Sequence, residues 1–296
     1  TLGFKYPMNL LHEAAGSIVV DQTKNFEVGD RVVLVPNMIP PTKHECENCV
    51  CQQADLGENY CPHALFASSN YNGFSREYVN YPVGYLLKIP AKVAPQLATF
   101  TELVSVAISA YRRLNLQGDE TVGVWGDGVL GFILSATLRS LHPKGKIIVV
   151  GKDEHRLGRF LADRCYLAGD PEISEENILV AYECVGGRFS AEAINEIIDQ
   201  IAVGGRIVLA GVAEEPIGIN TRKILEKGLS LYGVTRSSRA DFKKALNLFV
   251  NEGFQAAISQ LILAETIIND ITDFYRAFEA ELGNKELGKN ILRFNI

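Results

Sequence analysis

No block of like charge runs through this sequence of 296 residues, in which 29 Lys and Arg stand against 35 Asp and Glu for a net charge of −6. A nucleic-acid-binding surface is therefore not expected. No apolar stretch reaches the ~18 uninterrupted residues a membrane helix needs, and nothing at the amino end reads as a basic, apolar, small-residue leader. Internal repeats and low-complexity tracts are also lacking. What is present is ordinary globular composition, 47% hydrophobic and 22% charged, which excludes a disordered or fibrous chain. The length is close to that of two typical domains, so the expectation is a soluble, cytoplasmic, two-domain protein. The chain opens on Thr1, and the apolar run Pro7-Met8-Asn9-Leu10-Leu11-His12-Glu13 follows at once. It is expected to continue a domain begun upstream.

Four of the six cysteines crowd together: Cys46, Cys49, Cys51 and Cys61, while Cys165 and Cys184 stand alone. A disulfide scaffold would spread its cysteines through a short chain. The spacing C-x2-C-x-C-x9-C instead suits a loop folded around a tetrahedral, structural zinc ion. The alternative is a surface loop carrying free thiols.

Residues 14–40 alternate short β-type runs, Ser17 to Val20 and Arg31 to Val35, with Gly and Asp turns such as Val28-Gly29-Asp30. This texture predicts a small antiparallel sheet or barrel, and Asn70 to Pro90 continues it. Ala98 to Leu114 has helical spacing and stops at Gly118-Asp119. From Thr121 the pattern changes. A strand over Thr121–Trp125, a helix over Val129–Leu141 and a strand at Ile147–Val150 come first. Val180–Cys184, Arg206–Leu209 and Leu229–Gly233 follow as further short apolar strands. Strands alternating with helices predict a doubly wound parallel sheet. After Ser237 a helix is expected over Asp241–Asn251, and β structure at Asn290–Phe294. The fold class is thus α/β, a β-rich domain beside a parallel-sheet domain. The boundaries expected are 1–107 for the first domain, 108–237 for the nucleotide-type domain, and 238–296 for a return to the first.

Gly126-Asp127-Gly128-Val129-Leu130-Gly131 is a GxGxxG turn between a predicted strand and a predicted helix. There glycines give a tight turn, a close approach for a pyrophosphate and close helix packing, at a helix N-terminus that favours anions. Asp127 is expected to point away from the ligand. NAD-binding domains usually place an acidic residue about 20 residues past the turn. This chain has Gly151 there, followed by Lys152 and, a helical turn on, Arg156. That favours NADPH, whose 2′-phosphate the two cations would attract, although Asp153 and Glu154 partly offset them and a merely solvated face is the alternative.

His12-Glu13 lies in an apolar, glycine-punctuated context, and Glu102 stands in the apolar stretch Phe100-Thr101-Glu102-Leu103-Val104. A carboxylate there is costly to bury unless it is paired or metal-bound. A catalytic zinc takes about three protein ligands and leaves a position open, and His12, Glu13 and Glu102 are the candidates.

At this point the chain resembles the zinc-dependent medium-chain alcohol and polyol dehydrogenases. The residues that carry the likeness are His12-Glu13, Gly29-Asp30-Arg31-Val32, Glu58-Asn59-Tyr60-Cys61, Glu102 to Val106, the glycine turn, Glu183-Cys184-Val185-Gly186-Gly187 and Gly288-Lys289. Within that family, Val124 to Gly128, Asn220-Thr221-Arg222, Leu225 to Leu229 and Arg236-Ser237 look like the ribulose-5-phosphate reductases. The resemblance implies a GroES-like catalytic domain with a Rossmann coenzyme domain, and a catalytic zinc held by His12 with Glu13 and Glu102 beside it. It also implies a further Cys ligand and proton-relay hydroxyls upstream of Thr1. The implied reaction is NADPH-dependent reduction of ribulose 5-phosphate to ribitol 5-phosphate, the zinc polarising the ketone, as a step toward CDP-ribitol for teichoic acid or capsule. A homodimer meeting around Leu229–Gly233 and association with a cytidylyltransferase belong to the same expectation. Arg236 and Lys289 are candidates for the substrate phosphate. The cysteine loop departs from the family's C-x2-C-x2-C-x7-C, which makes Cys51 the least certain ligand, with His44 or His63 as substitutes. Another polyol or alcohol dehydrogenase, or a catalytically silent NADPH-binding protein, are the competing readings.

Overall fold

The structure is a computed structural model and describes residues 8–39, 49–53 and 56–295. The chain divides into two compact units, residues 1–106 with 236–296, and residues 107–235.

The first stretch of unit 1 holds β1 (Ala15–Ser17), β2 (Arg31–Leu34), β3 (Asn37–Met38), β4 (Leu65–Phe66) and β5 (Leu86–Lys88), then helices α1 (Pro95–Ala98) and α2 (Thr101–Arg112). β1, β2 and β5 form an antiparallel sheet with Ala15 opposite Val33 and Val32 opposite Lys88. β3 and β4 pair as a short separate ribbon. Between Asn70 and Pro90 the chain is less regular than its β-prone residues predict. Tyr81 and Tyr85 turn their hydroxyls to the backbone of Val35 and of Ile39, so these rings brace loops in place of extending a ladder.

Unit 2 runs β6 (Val122–Trp125), α3 (Val129–Leu141), β7 (Ile147–Gly151), α4 (Glu154–Leu157), β8 (Arg164–Leu167), β9 (Val180–Glu183), α5 (Ser190–Gln200), β10 (Arg206–Leu209), α6 (Thr221–Lys227) and β11 (Ser230–Gly233). The six strands are parallel, in the order β11-β10-β9-β6-β7-β8. Every residue of β6, β7 and β9 is buried, as expected of strands covered on both faces. β8 escaped the sequence reading because it is an edge strand with only Tyr166 buried, so it has no apolar run to reveal it. β6 and β9 are neighbours at the point where the strand order reverses, which is where open α/β sheets bind ligands beyond the carboxyl ends of the strands.

The chain then returns to unit 1 through α7 (Arg239–Leu248), α8 (Glu252–Ser259), β12 (Ile262–Ile268), α9 (Ile271–Gly283) and β13 (Lys289–Phe294). A capping box of Ser238 and Asp241 starts α7, satisfying N–H groups a helix end otherwise leaves open. β12 and β13 pair in parallel, with α9 as their crossover.

In unit 2, Ile197 on α5 is fully buried in the cluster of Trp125, Ile148, Ala181 and Ile207. Ile197→Ala is expected to cost about 2–5 kcal/mol, read as a lower midpoint in urea unfolding followed by circular dichroism.

Candidate metal centre and dinucleotide turn

His12 arrives on a segment with no regular secondary structure, and the backbone around it is clamped. Gly73, Phe74 and Ser75 donate their N–H groups to the carbonyls of Asn9, Leu11 and Leu10 at 2.7–3.0 Å, and Leu10 N–H donates to Ser75 Oγ at 2.9 Å. A Cβ on Gly73 would run into the carbonyls of Leu10 and Leu11, so the approach requires glycine. The His12 ring leans on Phe66 of β4, with centroids 5.3 Å apart.

Glu102 sits in the first turn of α2 and is 4% exposed. His12, Glu13 and Glu102 each bring a ligand atom to within 4.8 Å of the others. Lys289, at the start of β13, donates to both carboxylate oxygens of Glu13 at 2.6 and 2.7 Å. Its ammonium is therefore engaged with a carboxylate, not presented for a substrate phosphate. Burial pushes the Glu102 carboxyl up to about 8, with the Glu13 charge adding to the rise and Lys289 opposing it. His12, Glu13 and Lys289 open on a cavity of about 840 Å³, which Phe74, Phe100 and Phe294 also line. One imidazole and two crowded carboxylates are a donor set that suits zinc. Burial is the main cause of the raised Glu102 carboxyl, and a dication would offset the cost of ionising it there, so a dication fits.

The sulfur atoms of Cys49, Cys51 and Cys61 also lie within 4.8 Å of one another. The Cys49 and Cys61 sulfurs are 3.8 Å apart, close to the edge of a tetrahedron built on Zn–S bonds of about 2.3 Å. Cys51 N–H reaches the Cys49 sulfur at 3.5 Å, so the early position of Cys51 does not exclude it from the group. Cys46 and His44 lie outside the described residues, and the cluster does not include His63.

In unit 2 the turn after β6 carries Gly126 at φ +128, where an added Cβ would meet the Cys184 backbone at 2.9 Å. Gly128 caps α3, which begins at Val129. The Asp127 carboxylate turns back and accepts from the N–H groups of Lys152 and Asp153 at 2.6 and 2.8 Å. It lies so close to Gly151 that a Cβ there would be 2.6 Å from Asp127 Cβ. The acidic group at this corner thus comes from the turn and is occupied by backbone donors. Lys152 lies over the Phe189 ring, 3.7 Å from its centroid, and Arg156 pairs loosely with Asp153.

Comparison with known proteins agrees with this geometry. The family profile of the alcohol dehydrogenase GroES-like domain matches residues 2–91, and that of the zinc-binding dehydrogenases matches residues 171–251. The ribulose-5-phosphate reductase of Bacillus spizizenii is 36% identical over 298 residues, 99% of this chain and 84% of that protein. The chain belongs to the zinc-binding medium-chain dehydrogenases. This dehydrogenase is also 34% identical to the ribulose-5-phosphate reductase of Streptococcus pneumoniae, over 95% of its own length and 79% of the relative's. Among solved structures, S. aureus TarJ in complex with NADPH superposes with a TM-score of 0.81 at 33% identity, over 100% of this chain and 84% of that one. The chain is an oxidoreductase of GroES-like and Rossmann architecture, and among its described residues no helix is long and apolar enough to cross a membrane.

Two supporting residues of the dehydrogenase were not legible as such. Glu183, fully buried, accepts from the N–H groups of Val185, Gly186 and Gly211 at 2.8–3.1 Å, tying together the loops after β9 and β10. Its signal was a charged residue ending an apolar strand. Lys289 is the other, and its partner 276 positions away left no local trace.

Folded and metal-free, the protein keeps a proton on Glu102 up to about pH 8, whereas the ordinary value is 4.5. The folded state therefore binds the extra proton in that window, so this group's contribution favours folding at low pH and declines as pH rises from 4.5 toward 8. Denaturant titrations of chelator-treated protein should show that decline, and Glu102→Gln should flatten it. Zinc uptake below pH 8 should release a proton from this residue, measurable by calorimetry in buffers of different ionisation heat.

Proposed function

We propose that this dehydrogenase reduces the ketone of ribulose 5-phosphate to ribitol 5-phosphate with NADPH, within the synthesis of CDP-ribitol for teichoic acid or capsule. The observation that carries the reading is the three-residue cluster of His12, Glu13 and Glu102, in a chain about one-third identical along nearly its whole length to reductases of that ketose phosphate.

His12, Glu13 and Glu102 would hold the catalytic zinc, and Cys49, Cys51 and Cys61 a structural one. When bound, zinc would polarise the ketone oxygen, NADPH would supply the hydride, and a proton from solvent would complete the alcohol. The chain's own residues prepare that chemistry. Lys289 fixes the Glu13 carboxylate, Glu102 would have to give up its proton to serve as a ligand, and Phe66 packs against the His12 ring. Gly126, Gly128 and Gly131 would let the pyrophosphate reach the α3 N-terminus, where Val129 and Leu130 present backbone N–H groups. The side chains of Lys152 and Arg156 would bind the 2′-phosphate, while the space beside Gly151 is taken by Asp127. Asp127 acts from behind, holding the Lys152 backbone. The position of β11 at one end of its sheet suits pairing of two copies, and the ribitol 5-phosphate product suits hand-over to a cytidylyltransferase.

The reading is tested by NADPH oxidation with ribulose 5-phosphate, unphosphorylated ribulose and xylulose 5-phosphate, with and without a chelator. Two charge-assisted hydrogen bonds to the phosphate at about 1.5–3 kcal/mol each predict a preference of at least about 100-fold for ribulose 5-phosphate over ribulose. Chelation should abolish turnover, and a rate indifferent to both phosphate and chelator would reject the assignment. The double variant Lys152→Ala, Arg156→Ala should raise KM for NADPH about 10–100-fold while moving KM for NADH little.

A further inference from the structure

Arg236 lies three residues beyond the end of β11 and holds a left-handed backbone, φ +56, a conformation that costs a residue with a side chain about 1–2 kcal/mol. The residues after it keep it there. Ser237 shares a 2.7 Å hydrogen bond with Ser105 of α2, and Ser238 is locked into the capping box of α7. Both serines are buried. The strain aims the side chain: the Arg236 guanidinium stacks on the Phe66 ring, 4.5 Å from its centroid. This is the same ring that His12 leans on.

Other cations of unit 1 have partners. Arg239 pairs with Glu58, Lys289 with Glu13, and Lys88 with Asp30. Arg236 is half-buried, and among the described residues no carboxylate pairs with it. Its burial lowers its affinity for the proton, which an anion would reverse. One face of the guanidinium is covered by Phe66, leaving its planar fork of N–H donors for a bidentate oxyanion.

We propose that Arg236, splayed on Phe66, is the residue that grips the phosphate of the ketose phosphate. This rests on the substrate reading above and deepens it by naming the group that tells a phosphorylated ketose from a free one. The scale fits. The two ring separations, 4.5 and 5.3 Å, place the guanidinium roughly 10 Å or less from the His12 imidazole. The five bonds from the C2 carbonyl carbon of ribulose 5-phosphate to phosphorus span about 6 Å, and an N–H···O contact of about 2.8 Å completes the reach. Lys289, the other cation considered for this role, is held by Glu13.

The test uses the zinc-loaded enzyme and measures kcat/KM for ribulose 5-phosphate and for ribulose, with inorganic phosphate as competitive inhibitor. In the wild type, a preference for the phosphorylated ketose with phosphate inhibition upholds the substrate reading. Its absence overturns that reading before any variant is made. Arg236→Gln should then lower kcat/KM for ribulose 5-phosphate about 100-fold, at least 10-fold more than for ribulose, and remove inhibition by phosphate. An unchanged ratio between the two substrates, or an unchanged inhibition constant, shows that Arg236 serves only the packing of Phe66 and overturns the proposal. Arg236→Lys reports if the first variant does not fold. It keeps the charge but loses the fork, so phosphate inhibition should weaken several-fold, and inhibition equal to wild type is again the overturning result.

Discussion

Burying the Glu102 carboxyl beside Glu13, with the Lys289 ammonium already committed to Glu13, makes a second negative charge costly at this point of unit 1. Water would disperse that charge, but the first turn of α2 is sealed from it. The carboxyl answers by retaining a proton. A dication is the other available answer, and His12 offers it a third ligand atom. On the proposed reading, what looks like a destabilising pair is a preorganised donor set for a metal.

The support around that cluster is steric as much as electrostatic. Gly73 lets two stretches of backbone come closer than any side chain would allow, and this fixes where His12 stands. Phe66 then serves two neighbours with one ring, His12 and Arg236. A substitution at Phe66 is therefore a change to both residues at once, and their effects on turnover should not separate additively.

The parallel sheet was readable because its central strands are apolar throughout and glycine marks the turn after β6. The edges were not: β8 exposes three of its four residues, and nothing in Arg164-Cys165-Tyr166-Leu167 separates it from a loop. The cluster of His12, Glu13 and Glu102 was visible because a carboxylate in an apolar helical stretch asks for a partner. Partners brought from afar were not visible. The Glu13–Lys289 pair and the Ser105–Ser237 bond join positions 276 and 132 residues apart, and Asp127 fills the corner beside Gly151 through tertiary placement that spacing alone does not encode.

The Glu13–Lys289 contact also bears on how the protein is made. Its two ends flank almost the whole described chain, and unit 2 is threaded between them. A nascent chain leaving the ribosome has His12, Glu13 and Glu102 in hand long before Lys289 has been translated. Until then unit 1, which needs residues 236–296, is incomplete. The ion pair that braces Glu13 can thus close only when nearly all of the described chain has been made.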